Sequence, residues 1–201
     1  MILRNWLIAG GVIVLSAVLG GGAAMYQVSR AGVAFGSEVN VRGWQSSSTI
    51  GSSASDPIER ALIARKGLLA LARKETIYFS LAKDDQGALL DNKCSYQIKG
   101  NLAGSQARWW SITLYAADDY LAVNGDQAGS VDVTRMVADP SGAYIVTVSS
   151  TQGEAQNWLS SKNAGQFSLS MRLYNPTSEV QADMTKANLP SVSKVSCGSA
   201  A

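Results

Sequence analysis

Two adjacent tryptophans inside an alternating run, Ala107–Tyr115 (ARWWSITLY), constrain this chain more than any other feature. Successive strand side chains point to opposite faces. Trp110, Ile112 and Leu114 therefore fall on one side, and Trp109, Ser111, Thr113 and Tyr115 on the other. One face is strongly apolar and the other amphipathic, so both are expected to be covered and the run to be a central strand. Residues 75–81 alternate in the same way, with Ile77 and Phe79 opposed to Thr76, Tyr78 and Ser80. So do residues 167–174, where Phe167, Leu169, Met171 and Leu173 oppose Ser168, Ser170, Arg172 and Tyr174.

Residues 94–99, 131–133 and 143–149 are further strand candidates, and 120–123 is a very short one. Asp139-Pro140-Ser141-Gly142 is a strong turn, and Asn157-Trp158-Leu159 reads as part of a polar loop. A helix is expected over residues 57–72, with Asp56 as N-cap and Pro57 at the first helical position, where its missing N–H costs nothing. Glu59 at the third position approximates a capping box, and Gly67 is a weak point in the helix. Arg65, beside the apolar stripe, either snorkels to water or pairs with a carboxylate such as Glu75.

One helix followed by at least five short strands, with no long crossover helices between them, argues against a parallel doubly wound sheet. The expected fold is mainly β: an antiparallel sandwich or jelly-roll-like sheet with a packed N-terminal helix, preceded by one transmembrane helix.

The N-terminal segment carries that last expectation. Residues 5–29 hold no charged side chain, and about 20 apolar helical residues span a bilayer core. Trp6 and Tyr26 stand near the two ends, where interfacial aromatics are favoured. Gly10, Gly11, Gly20, Gly21 and Gly22 give the helix a thin surface on which a partner helix could pack. A cleaved signal peptide competes with a retained anchor, since MILR is basic and residues 22–24 are small. Both readings export the rest of the chain.

The expected organisation is a cytoplasmic tail at 1–4, a transmembrane helix at 5–28, a juxtamembrane connector at 29–55, a β domain at 56–190 and a polar tail at 191–201. Within the connector, Trp44 and Ile50 could pin the Ser-rich stretch to the domain. The expected location is the bacterial inner membrane, crossed once, with the folded domain in the periplasm. Cys94 and Cys197 are either a disulfide tying the tail to the domain or two separate thiols.

The chain has 17 Lys plus Arg against 15 Asp plus Glu, and the surplus is Arg4 and Arg30. The part beyond Arg30 is electrically balanced, so it lacks the basic footprint of a nucleic-acid binder. With no histidine, it also lacks the commonest general base and the commonest zinc ligand. No GxSxG elbow occurs. Lys83-Asp84-Asp85-Gln86-Gly87 lacks the calcium-loop spacing and its distal Glu, so it reads as a solvated turn. Paired carboxylates could run glycoside chemistry if Glu75 met Asp118, Asp119 or Asp132. No cofactor and no metal site is expected.

Several blocks occur in an order that resembles the DUF1214 family of bacterial envelope and related proteins. They are GLLAL at 67–71, ETIYF at 75–79, the strand at 107–115, Asn124, Asn157-Trp158, and 167–176 with its RLYNP ending. The resemblance spans residues 44–188. It implies a β-rich, jelly-roll-like fold and no general chemistry. Many larger relatives carry a preceding DUF1254 domain; here a membrane segment stands in its place. Arg108 departs from the pattern, whereas Glu75, Tyr78, Asn124, Asn157, Trp158, Arg172, Tyr174 and Asn175 match it. Through the resemblance these could line one groove. Alternatively, Glu75 and Arg172 form a structural pair and the asparagines cap turns.

The preferred function is a membrane-anchored periplasmic accessory or structural protein that binds another envelope protein or complex. The alternative is a carbohydrate- or peptide-binding module using Trp109, Tyr115, Tyr120, Trp158 and Tyr174, or a carboxylate-based hydrolase.

Overall fold

The computed structural model describes residues 2–30, 39–65, 68–104 and 106–198, with backbone alone at 2–4 and 27–30. Helix α1 (Ile2–Arg30) is followed by ten strands in two sheets. The strands are β1 (Val39–Val41), β2 (Trp44–Ser46), β3 (Thr76–Leu81), β4 (Cys94–Asn101), β5 (Ala107–Tyr115), β6 (Ser130–Asp132), β7 (Ala143–Ser149), β8 (Trp158–Ser160), β9 (Ser168–Pro176) and β10 (Ser191–Cys197). The larger sheet has the order β1-β2-β3-β9-β5-β6, and the smaller β10-β4-β7-β8. Their facing side chains form one core, as expected of a sandwich.

The alternation read from the sequence sets this architecture. Phe79, Ile112, Leu169 and Leu173 of the larger sheet and Ile98, Val146, Val148 and Leu159 of the smaller are all 0% exposed. Burying each such side chain contributes about 1.5–3 kcal/mol. Tyr144 stacks on Trp110 with ring centroids 5.5 Å apart, and burial pushes its phenol pKa well up. Its ring lies across its strand partner Gly100, where a Cβ would collide with it. Glycine is required there to let the ring down onto the sheet.

Helix α2 (Pro57–Arg65) starts as expected. Asp56 Oδ1 accepts from the N–H groups of Ile58 and Glu59, each at 2.8 Å. Glu59 does not close a capping box; its buried carboxylate accepts from Thr49 Oγ1 at 2.6 Å. The helix has ended well before residue 72, and Gly67 lies outside the described residues. From Leu68 the chain runs non-helically over the outer face of the larger sheet, with Ala70 at φ 47. Tyr78 Oη accepts from the Leu71 N–H at 3.2 Å, and Tyr78 packs with Ile50 and Ile63. This aromatic of β3 holds the helix and the following segment onto the sheet.

Four further parts of the chain differ from the sequence reading. The connector contains a hairpin, β1–β2, whose turn residues Arg42 and Gly43 have φ 53 and 86. Both being positive suits a two-residue hairpin loop. Trp44 is fully buried and donates from Nε1 to the Pro190 carbonyl at 2.7 Å, so it pins the connector as expected. The polar tail is instead strand β10, paired antiparallel with β4 from Ser191↔Lys99 to Cys197↔Cys94. Only Val192 faces the core from it, so it carries no apolar period to read. The Cys94–Cys197 disulfide closes this pair. The polar loop at 157–159 becomes β8, which pairs parallel to β7. Residues 120–123 form no strand.

Candidate functional site

Strands β3, β9 and β5 lie side by side, so their polar alternates meet on the outer face of the larger sheet. The register sets Thr76, Tyr174 and Trp109 in one row and Tyr78, Arg172 and Ser111 in the next. Trp109 and Tyr174 rings lie 5.1 Å apart, and Trp109 Nε1 donates to Thr134 Oγ1 at 2.9 Å. Arg172, half-buried, extends along the sheet. Its Nη1 donates to Thr113 Oγ1 at 3.1 Å and its Nη2 to Tyr115 Oη at 2.5 Å. The guanidinium carbon stands 5.5 Å from the Tyr115 ring centroid. Glu75 is exposed just before β3, and its carbonyl accepts from Asn175 N–H. The expected Glu75–Arg172 pair is therefore replaced by hydroxyl partners. Arg65 points to Asp119, Nε to Oδ2 3.8 Å, rather than to Glu75.

Two clefts flank the 124–130 loop. One, about 430 Å³, is lined by Thr113 and Tyr115 of β5, by Leu121, Ala122 and Asn124, and by Ser160. The other, about 260 Å³, takes in Asp126, Asp132, Arg135, Asn157 and Trp158. Both asparagines serve as braces. Asn124 donates to the Lys162 carbonyl at 2.9 Å and accepts from Asp126 N–H at 3.1 Å. Asn157 accepts from Val137 N–H at 2.9 Å and donates to the carbonyls of Val137 and Ile145 at 2.8 and 3.0 Å. It is 9% exposed and ties the 133–138 segment to β7. Trp158 Nε1 donates to Ser149, with Oγ at 3.1 Å.

The expected groove is thus divided. Asn124, Asn157 and Trp158 border the clefts; Arg172 touches one from behind through Thr113 and Tyr115. Tyr78 lies under the α2 segment, and Glu75 and Tyr174 stand at the other end of the sheet face. Of the five aromatics proposed for a sugar platform, Trp109, Tyr115 and Tyr174 share the outer face, with Trp109 and Tyr174 in contact, whereas Trp158 lies on β8 and Tyr120, 71% exposed, on a loop.

The carboxylates near the clefts are engaged. Asp132 accepts from Arg135 Nε at 2.8 Å and from Thr134 N–H at 2.9 Å. Burial pushes its pKa up, but these bonds from Arg135 and Thr134 outweigh burial and hold it below the ordinary value. Asp126 accepts from Ser160 Oγ at 2.6 Å and lies 4.0 Å from Lys162 Nζ. Among the described residues, no cluster of three or more acidic or cysteine side chains could hold a metal ion.

The sequence did not single out Thr113 and Ser160 as site residues. Each is a small hydroxyl in an ordinary strand, and only the fold sets it beside a cleft. The turn at 83–87 also differs from its expected solvated form. Asp84 is buried, accepts from Gln86 and Ala88 N–H groups at 3.0 and 2.9 Å, and faces Lys194 Nζ at 3.7 Å.

The family model for DUF1214, described as a protein of unknown function, matches residues 75–178. The chain belongs to the DUF1214 family. The match covers β3 to the end of β9, the part that builds the outer face and both clefts, and is narrower than the 44–188 expected from the motifs. The DUF1214 chain is also similar to two solved structures. The VPA0106 protein from Vibrio parahaemolyticus aligns with 24% identity over 71% of this chain and 36% of that one, with TM-score 0.57. An uncharacterised protein from Burkholderia cenocepacia aligns with 14% identity over 78% of this chain and 35% of that one, with TM-score 0.50. At these identities the likeness concerns the fold alone. The DUF1214 chain spans about a third of each of those longer chains. No curated protein matches it.

Proposed function

We propose that this DUF1214 chain is a membrane-anchored accessory protein of the bacterial envelope, its β domain held in the periplasm against another envelope protein. The observation that carries the reading is α1. Its Asn5–Tyr26 stretch has mean hydropathy 2.1, and none of its most apolar window is buried by the rest of the chain. Trp6, Leu15 and Leu19 are 73%, 59% and 64% exposed. Such a surface needs a bilayer or a partner. The Cys94–Cys197 bond supports an oxidising compartment. A Cβ at Gly10, Gly11, Gly20, Gly21 or Gly22 would meet nothing within 4 Å, which leaves that helix surface free for another helix.

Tagged protein extracted from membranes in gentle detergent tests the proposal. The expected result is a full-mass chain, resistant to carbonate extraction, that co-purifies with a defined companion. Gly21→Leu is expected to weaken that association while leaving the β domain folded. A chain trimmed near residue 23 and recovered as a soluble monomer would overturn the reading.

A further inference from the structure

We propose that the cleft lined by Thr113 and Tyr115 is a carboxylate-binding site whose polarity is set by Arg172. The inference does not depend on which compartment the domain occupies. A hydroxyl has one donor and two acceptor positions, while a guanidinium can only donate. Arg172 donates to Thr113 Oγ1 at 3.1 Å and to Tyr115 Oη at 2.5 Å, so both oxygens act as acceptors towards it. Their own protons are left to point elsewhere, and both residues line the cleft. Turned towards the cleft, those protons make it a set of O–H donors backed by a cation.

Its natural complement is a group that only accepts and carries negative charge. The acidic groups nearby are committed: Asp126 to Ser160 and Lys162, Asp132 to Arg135, and Asp119 to Arg65. Among the described residues none of them neutralises Arg172. Ser170, the strand partner of Thr113, holds a buried hydroxyl oxygen without a hydrogen-bond partner. Leu121 and Ala122 form an apolar wall, and the volume of about 430 Å³ admits a small molecule or a chain end. The ligand is thus a carboxylate on a short apolar body, either a free small acid or a peptide C-terminus. Arg172 is a positioning residue here, acting through the two hydroxyls.

The test is an NMR titration of the isotopically labelled full chain in detergent micelles at constant ionic strength. Propionate, its uncharged isostere propionamide and N-acetyl-alanyl-alanine are the probes. Saturable amide shifts are expected at Thr113, Tyr115, Leu121 and Ala122, with propionate bound about tenfold more tightly than propionamide. Tighter binding of the dipeptide than of propionate would assign a peptide end; the reverse would assign a free acid.

Arg172→Gln is expected to reduce the acid-to-amide preference to near unity, because the hydroxyls are then free to donate or accept. Arg172→Lys should restore part of it. Tyr115→Phe should weaken propionate binding about tenfold without altering the strand, and it carries the test if the Arg172 variants fail to fold. The proposal is overturned by the absence of a saturable shift, by equal responses to propionate and propionamide, or by an unchanged preference in folded Arg172→Gln.

Discussion

One backbone, that of β3, β9 and β5, supports two faces that differ in chemistry more than in burial. On the inner face Phe79, Ile112, Leu169 and Leu173 are completely shielded. On the outer face Thr76, Ser111 and Ser170 are also buried, at 2%, 5% and 5% exposure. The inner face is satisfied by packing alone. The outer face buries hydroxyls beneath Arg172, Tyr78, Tyr115 and Tyr174, and two of those hydroxyls, on Thr76 and Ser170, find no partner. Burial of a polar group without a hydrogen bond is unfavourable. The comparison shows that depth does not distinguish core from site in this domain; the partners of the buried groups do.

The strongest challenge to this contrast is Phe79→Ala. It is expected to lower unfolding stability by about 3–5 kcal/mol, measured by denaturant titration. A loss below about 1 kcal/mol would remove the inner face from the core.

Of the two faces, acid should act on the outer one, through Asp132, the strand partner of Ser111. Its folded pKa lies below the ordinary 3.8 despite burial, because Arg135 and the Thr134 N–H hold the charged form. A depressed folded pKa stabilises at pH above the ordinary value, and the contribution disappears as pH falls through the folded one. The unfolding midpoint should therefore drop below pH 3.8 in the native chain. Asp132→Asn should flatten that limb and cost about 1 kcal/mol at neutral pH. An unchanged acid limb in Asp132→Asn would show that other carboxylates carry it.

The smallest effect sharpens the contrast most. Thr76→Val replaces an unpartnered buried hydroxyl with a methyl group of the same shape, so stability should stay equal or rise by up to about 1 kcal/mol. A clear loss of stability would mean that the Thr76 hydroxyl is bonded in solution and that the outer face is as fully satisfied as the inner.

The alternating residues made much of this legible in advance. The two adjacent tryptophans fixed the sidedness of β5, and the matching alternations at 76–81 and 168–174 fixed their faces. The longest family motifs, at 75–79, 107–115 and 167–176, lie on or beside these strands, which is why the resemblance pointed to the fold. Asn124 and Asn157 were singled out by the family motifs, as groove residues or turn caps. Asn124 makes one local turn bond, to Asp126 N–H, but its bond to Lys162 and all three of Asn157 reach backbone groups of other segments, a relation that no local pattern encodes. Strands β8 and β10 escaped because each offers a single buried apolar side chain, Leu159 and Val192, too few for a period.

By itself the sequence determined which side chains share a face, where the apolar helix lies and that histidine chemistry is absent, since these depend only on residue type and near-neighbour spacing. Tertiary structure decided that β9 sits between β3 and β5, and hence that Arg172 reaches Thr113 and Tyr115 rather than Glu75. Which strands become neighbours is settled by the collective packing of two sheets over long sequence separations, and the partner of a long flexible cation follows from that packing.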